Sequence, residues 1–116
     1  MKILILGHGR KYDRNYVRNS PCDIDKWFNM EYVCVDYDPE CKPDIVFDLS
    51  NIDWTFCSEN EYDLIIDTCG LSKLCLRSKY NSFTEQQVKK CLNDNGEFYG
   101  YRNTHWKKID GELQNI

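Results

Sequence analysis

Five short apolar runs, each closed by a polar or acidic residue, recur along this chain and limit its fold more than any other feature. They are "KILIL" (2–6), "YVCVDYD" (32–38), "PDIVFDL" (43–49), "YDLIIDTCG" (62–70) and "GEFYGY" (96–101). Near-continuous runs of this length, rich in Ile and Val, suit strands covered on both faces. Between them lie segments with helical signals. In "CDIDKWFNM", Asp23 is placed to cap a helix that turns Ile24, Trp27 and Phe28 to one face. "SNIDWTFCSEN" predicts a second helix from Ser50, with Ile52, Phe56 and Trp54 inward. "SFTEQQVKKCLNDNG" predicts a third. There Ser82 and Glu85 fit a capping box, with Thr84 and Gln87 as a second register. Val88, Cys91 and Leu92 form its inner stripe, and Asn95-Gly96 its left-handed stop. Strands alternating with helices imply a parallel sheet with right-handed crossovers.

Residues 1–116 read as one domain, with an apolar fraction of 41% to build a core. The formal charge of −4 gives no support for broad nucleic-acid binding. The basic cluster Lys73, Arg77 and Lys79 reads as a solvated face. The seven cysteines include no Cys-x-x-Cys pair, and only His8 and His105 could assist them, so no metal site is expected. No run reaches the ~20 apolar residues that span a bilayer, and the first stops at a glycine, unlike a signal peptide. An intracellular, cytoplasmic setting follows as the expectation, with most cysteines acting as small buried hydrophobes. Residues 10–21 read as a long loop before a shortened first helix. In the tail, Asp110-Gly111 favours a small hairpin over a frayed end.

In an open parallel sheet, ligands bind beyond the carboxyl ends of the strands, where the strand order reverses. Four polar clusters fall there: Gly7-His8-Gly9, Asp36-Tyr37-Asp38, Asp48-Leu49 and Asp67-Thr68-Cys69-Gly70. Gly7 and Gly9 let backbone approach a ligand without a Cβ. A carboxylate at Asp36 can accept from both hydroxyls of a ribose, and Tyr37 can cover an adenine face. Asp48 can accept from the adenine amine while the Leu49 N–H meets a ring nitrogen. Asp67 and Thr68 border the reacting end. Plainer readings stand beside these. Asp36 to Pro39 can be a strand-ending turn, Asp48 a helix cap, Asp67 a solvated strand end and His8 an exposed turn residue. Cys69 lacks an identifiable His partner for nucleophilic work.

Taken together, these residues resemble the class I S-adenosylmethionine-dependent methyltransferase family. "ILILGHG" is similar to its first motif, "YVCVDYDP" to the second with its ribose acid, and "DIVFDLSN" to the third with its adenine contact. "EYDLIIDTCG" is similar to the fourth, and "CLNDNGEFYG" to the fifth-strand motif. "YVRNSPCDIDKWF" and "VDYDPECKPDIVFDL" resemble a small group found in large DNA viruses, which would place the protein in host cytoplasm. The resemblance covers residues 1 to about 101. It implies a Rossmann-like three-layer α/β sandwich, a mostly parallel sheet of about five strands in order 3-2-1-4-5, and a short C-terminal extension. It further implies S-adenosylmethionine as cofactor, held by Gly7, His8, Gly9, Asp36, Tyr37, Asp48, Leu49 and Thr68, with Asp67 as the catalytic candidate.

The chain departs from the family at named positions. Ile5 stands where an acid is usual, and Lys11 replaces the third glycine. Asp67-Thr68-Cys69-Gly70 does not match the pattern of many amino-group methyltransferases. The two further strands that usually follow are not evident after Tyr101, which predicts an uncovered fifth strand and pairing with a second copy. A small methyltransferase of unspecified acceptor is the leading expectation. A non-catalytic methyltransferase-like binding module and a dinucleotide-binding protein are the alternatives.

Overall fold

The computed structural model describes residues 1–14, 21–68, 75–76 and 79–116, with 75–76 as backbone only. Residues 15–20 of the expected long loop, and Cys69, Gly70, Lys73 and Arg77, singled out above, lie outside the described residues. The elements are β1 (Ile3–Leu6), α1 (Ile24–Trp27), β2 (Val33–Asp36), β3 (Ile45–Val46), β4 (Tyr62–Asp67), β5 (Cys75–Leu76), β6 (Lys79–Tyr80), α2 (Ser82–Cys91), β7 (Leu92–Tyr99), β8 (His105–Ile109) and β9 (Glu112–Asn115). One seven-stranded sheet runs β3-β2-β1-β4-β7-β8-β9, and β5 and β6 form a separate two-stranded antiparallel sheet. Pairing is parallel from β3 through β7 and antiparallel beyond it. The expected α/β fold, with strand order 3-2-1-4 and the fifth strand next, is therefore observed.

The continuous apolar runs have a simple cause. Successive side chains of a strand point to opposite faces. In β1, Leu4 and Leu6 enter the cluster under α2, with Val35, Trp54, Val88 and Phe98. Ile3 and Ile5 enter the other, with Trp27, Phe28, Tyr32 and Cys34. α1 has only four residues, and its Asp23 cap holds as expected by accepting from the Asp25 N–H. Rings complete the layer around it: its own Trp27 packs edge-on against Tyr32 and Phe28.

Three local expectations are corrected. The helix from Ser50 does not form. The Asp48 carboxylate accepts from the Ser50 N–H and hydroxyl, and the Asn51 N–H bonds Asp48 O, so the segment closes into turns. Short polar side chains that capture nearby backbone compete with helix in this way. Trp54 is buried and bonds Leu49 O through its indole N–H. Ile52, predicted inward, is 78% exposed.

The cap of α2 is Asn81, not Ser82. Its side chain accepts from the Thr84 N–H, and its extended backbone (φ −77°, ψ 166°) meets the cap requirement. Asn95 is left-handed as expected (φ 67°), but it lies within β7 rather than at the end of α2. The register slips there between Tyr62 and Leu64, and a Cβ on Gly96 would collide with the Asn93 carbonyl.

The tail resolves the fifth-strand edge. Asp110 (φ 52°) and Gly111 (φ 81°) make the hairpin turn, both in the left-handed conformation that two-residue hairpins need. β8 pairs with β7 through Glu97–Lys107, Phe98–Trp106 and Tyr99–His105. Residues 105–115 thus add two antiparallel strands beyond the fifth, which is not left uncovered as expected, and the free edge passes to β9. Two cysteines also depart from expectation: Cys57 and Cys91 are joined as a disulfide, tying the turns after β3 to the end of α2. Among the described residues, no helix is long and apolar enough to cross a membrane.

Candidate functional site

The sheet register brings the first, second and fourth polar clusters to one level. Leu6 pairs with Val35 on one side and Asp67 on the other, so Gly7 follows where β2 and β4 reach their acids. Gly7 (φ 70°) and Gly9 (φ 80°) are both left-handed, which a side chain would strain. Strand order reverses at β1, with β2 to one side and β4 to the other, which is where ligands enter such sheets.

Asp36 is 8% exposed and is drawn against the glycine turn. The Gly9 N–H donates to its Oδ2 (2.9 Å) and the Asp38 N–H to its Oδ1 (3.0 Å). The turn-forming reading of this residue is therefore observed. A carboxylate carries about four acceptor positions, so these two bonds leave capacity on each oxygen. Tyr37, beside it, is 71% exposed. Across the reversal point, Leu6 O accepts from both the Thr68 N–H (3.0 Å) and hydroxyl (2.9 Å). Asp67 is 2% exposed, which sets aside the solvated strand end.

Asp48 and Leu49 lie beyond β3, at the far side of β2. Asp48 caps a turn rather than a helix, and the Leu49 side chain is in the core. His8 is the clearest departure. It is 1% exposed, which excludes an exposed turn histidine. Its ring sits 5.5 Å from that of Tyr32 and 6.0 Å from that of Trp27, with Nε2 2.8 Å from the Tyr32 hydroxyl. Nδ1 is buried and has no hydrogen-bond partner among the described residues. Burial lowers the His8 pKa below its ordinary 6.5, outweighing the nearby carboxylates of Asp13 and Asp36. Burial also pushes the Tyr32 phenol up to about 12 and the Cys34 thiol up to about 12, so Cys34 is an unreactive core residue.

Lys11 acts as a clasp. Its ammonium lies 2.8 Å from Asp44 Oδ2 and 5.3 Å from the centres of the Tyr12 and Tyr32 rings. It pins the loop after β1 to the segment leading into β3.

Sequence reasoning missed Tyr80. Its hydroxyl donates to Asp67 Oδ2 at 2.5 Å and accepts from the Tyr101 N–H at 2.7 Å. Nothing in the periodicity marks this pair. The one usable signal was Gly100, which has no side chain where Tyr80 comes closest.

No protein-family model matches the chain, and no curated protein or solved structure matches it.

Proposed function

We propose that the chain binds S-adenosylmethionine at the carboxyl ends of β1, β2 and β4 and serves as a small methyltransferase. The observation that carries this reading is the Asp36 carboxylate held 2.9 Å from the Gly9 nitrogen, joining an acid to a left-handed glycine turn at the reversal of strand order. The donor set fits such a cofactor: backbone without Cβ at Gly7 and Gly9, and remaining acceptor capacity at Asp36. Asp36 would hold the ribose hydroxyls, Tyr37 would lie over the adenine, and Asp48 with the Leu49 N–H would meet its edge. The cofactor supplies an activated methyl group on a sulfonium. Transfer is an in-line displacement, so the work of the chain is alignment, with Asp67 and Thr68 at the reacting end. His8 is assigned to support of the turn from beneath rather than to ligand contact, because its ring is enclosed by Trp27, Phe28 and Tyr32.

Calorimetry with S-adenosylmethionine, its demethylated product and NAD tests this directly. The first two should bind and NAD should not. NAD binding in their place would favour the dinucleotide reading, and no binding of either adenosyl compound at millimolar concentration would sink the proposal. Asp36→Ala should weaken cofactor binding by about 1–3 kcal/mol, the cost of losing hydrogen bonds to a charged group. Because that change also frees the Gly9 N–H, Asp36→Asn is the finer variant, and unchanged affinity in it would refute the ribose role. Binding without turnover on any acceptor would favour a non-catalytic module.

A further inference from the structure

We infer that Tyr80 is a positioning residue for Asp67, coupling the C-terminal half of the sheet to the reacting end of the site. This rests on the cofactor reading above. A buried carboxylate is costly unless donors satisfy it, and Asp67 is almost fully buried at the end of β4. The Tyr80 hydroxyl answers that need at 2.5 Å. The hydroxyl is itself directed, because its oxygen accepts the Tyr101 N–H and its proton is thereby turned toward Asp67. Hydrogen bonds in such a chain polarise one another.

The tyrosine ring is fixed from the other side. It meets Phe98 edge-on at 5.4 Å and Trp106 at 5.5 Å, residues that pair across β7 and β8. Gly100 completes the arrangement, since a Cβ there would run into the Tyr80 hydroxyl. The chain Tyr101 N–H, Tyr80 hydroxyl, Asp67 carboxylate therefore runs from the end of β7 to the point where β1 and β4 diverge. It fixes the direction of the Asp67 carboxylate at that point. Tyr80 is not itself assigned a contact with substrate.

Two measurements separate this inference from the reading beneath it. The first uses the ligand-free protein, with tyrosine labelled at ¹³Cζ. Asp67→Asn should move the Tyr80 ¹³Cζ and Tyr101 amide resonances, and unmoved resonances would overturn the pairing whatever the protein binds. The second titrates S-adenosylmethionine and its demethylated product. Tyr80→Phe keeps the ring and its aromatic neighbours but removes the hydroxyl. Affinity should fall roughly tenfold, the scale of one hydrogen bond to a charged group. Asp67→Asn should also weaken binding, and the double variant should be no worse than the weaker single one. Full affinity in Tyr80→Phe, with only a lowered melting temperature, would make Tyr80 merely structural and overturn the inference. If the wild type binds neither compound, the cofactor reading falls and takes this ligand role with it. If Tyr80→Phe fails to fold, the resonance test on Asp67→Asn still decides the pairing.

Discussion

His8 is a case of one residue whose position in the chain misleads about its position in space. It lies between two glycines of a turn, yet its ring is enclosed by Trp27, Phe28 and Tyr32. Its depressed pKa is a statement about stability. Between the folded value and the ordinary 6.5, the unfolded chain binds the proton and the folded chain does not. The stabilising contribution is thus complete above about pH 6.5 and is lost as the pH falls through the folded value. Urea melts across this range should show stability declining on acidification in the wild type and a flatter profile in His8→Gln. Matching profiles would mean that His8 does not set the slope. The Lys2 N–H and the Asn93 amide hold the Asp63 carboxyl below its ordinary value, away from this window.

Among the elements, α2 and the turns after β3 show how a correct local reading can be displaced by a residue or two. Ser82 and Asn81 both have capping chemistry, but only Asn81 has the extended backbone and bonds the Thr84 N–H. Asn81→Ala should cost about 1 kcal/mol, whereas Ser82→Ala should stay within about 0.5 kcal/mol, as for a surface change. Chemical denaturation of both variants distinguishes the two caps, and the reverse order would restore Ser82. In the turns, Trp54→Ala should cost about 3–5 kcal/mol, as for a fully buried tryptophan. Ile52→Asp should be nearly silent by the same melts, because Ile52 faces solvent. A helical expectation placed both inward. The Asp48 side chain, by taking the Ser50 donors, decides otherwise.

Across the whole molecule, the C-terminal hairpin changes the function of the sheet's edge. Without β8 and β9, β7 would present an open row of backbone donors and acceptors, a known template for unwanted pairing. The hairpin covers that row, and Trp106 stacks on Phe98 at 4.8 Å between ring centres. A chain ending at Asn103 should lose its cooperative melt or aggregate, by calorimetry and size-exclusion chromatography. An unchanged melting temperature would show that the hairpin is an appendage. The edge open to a second copy is then β9, not the fifth strand.

The order of apolar runs and their terminal acids determined the α/β class, the parallel core and the strand ends that carry polar groups. Those properties are local: two-residue alternation, a capping aspartate, an Asp-Gly turn. The same sequence also placed Gly7, Gly9, Asp36 and Asp67 at strand ends, because each follows its own run. What the tertiary structure alone decided was which of them meet. Asp36 reaches Gly9 across 27 positions, Tyr80 reaches Asp67 across 13, and Cys57 reaches Cys91 across 34. The burial of His8 belongs with these. Such pairs depend on register and on packing between layers, to which residues far apart in the chain contribute, and no neighbouring pattern carries that information.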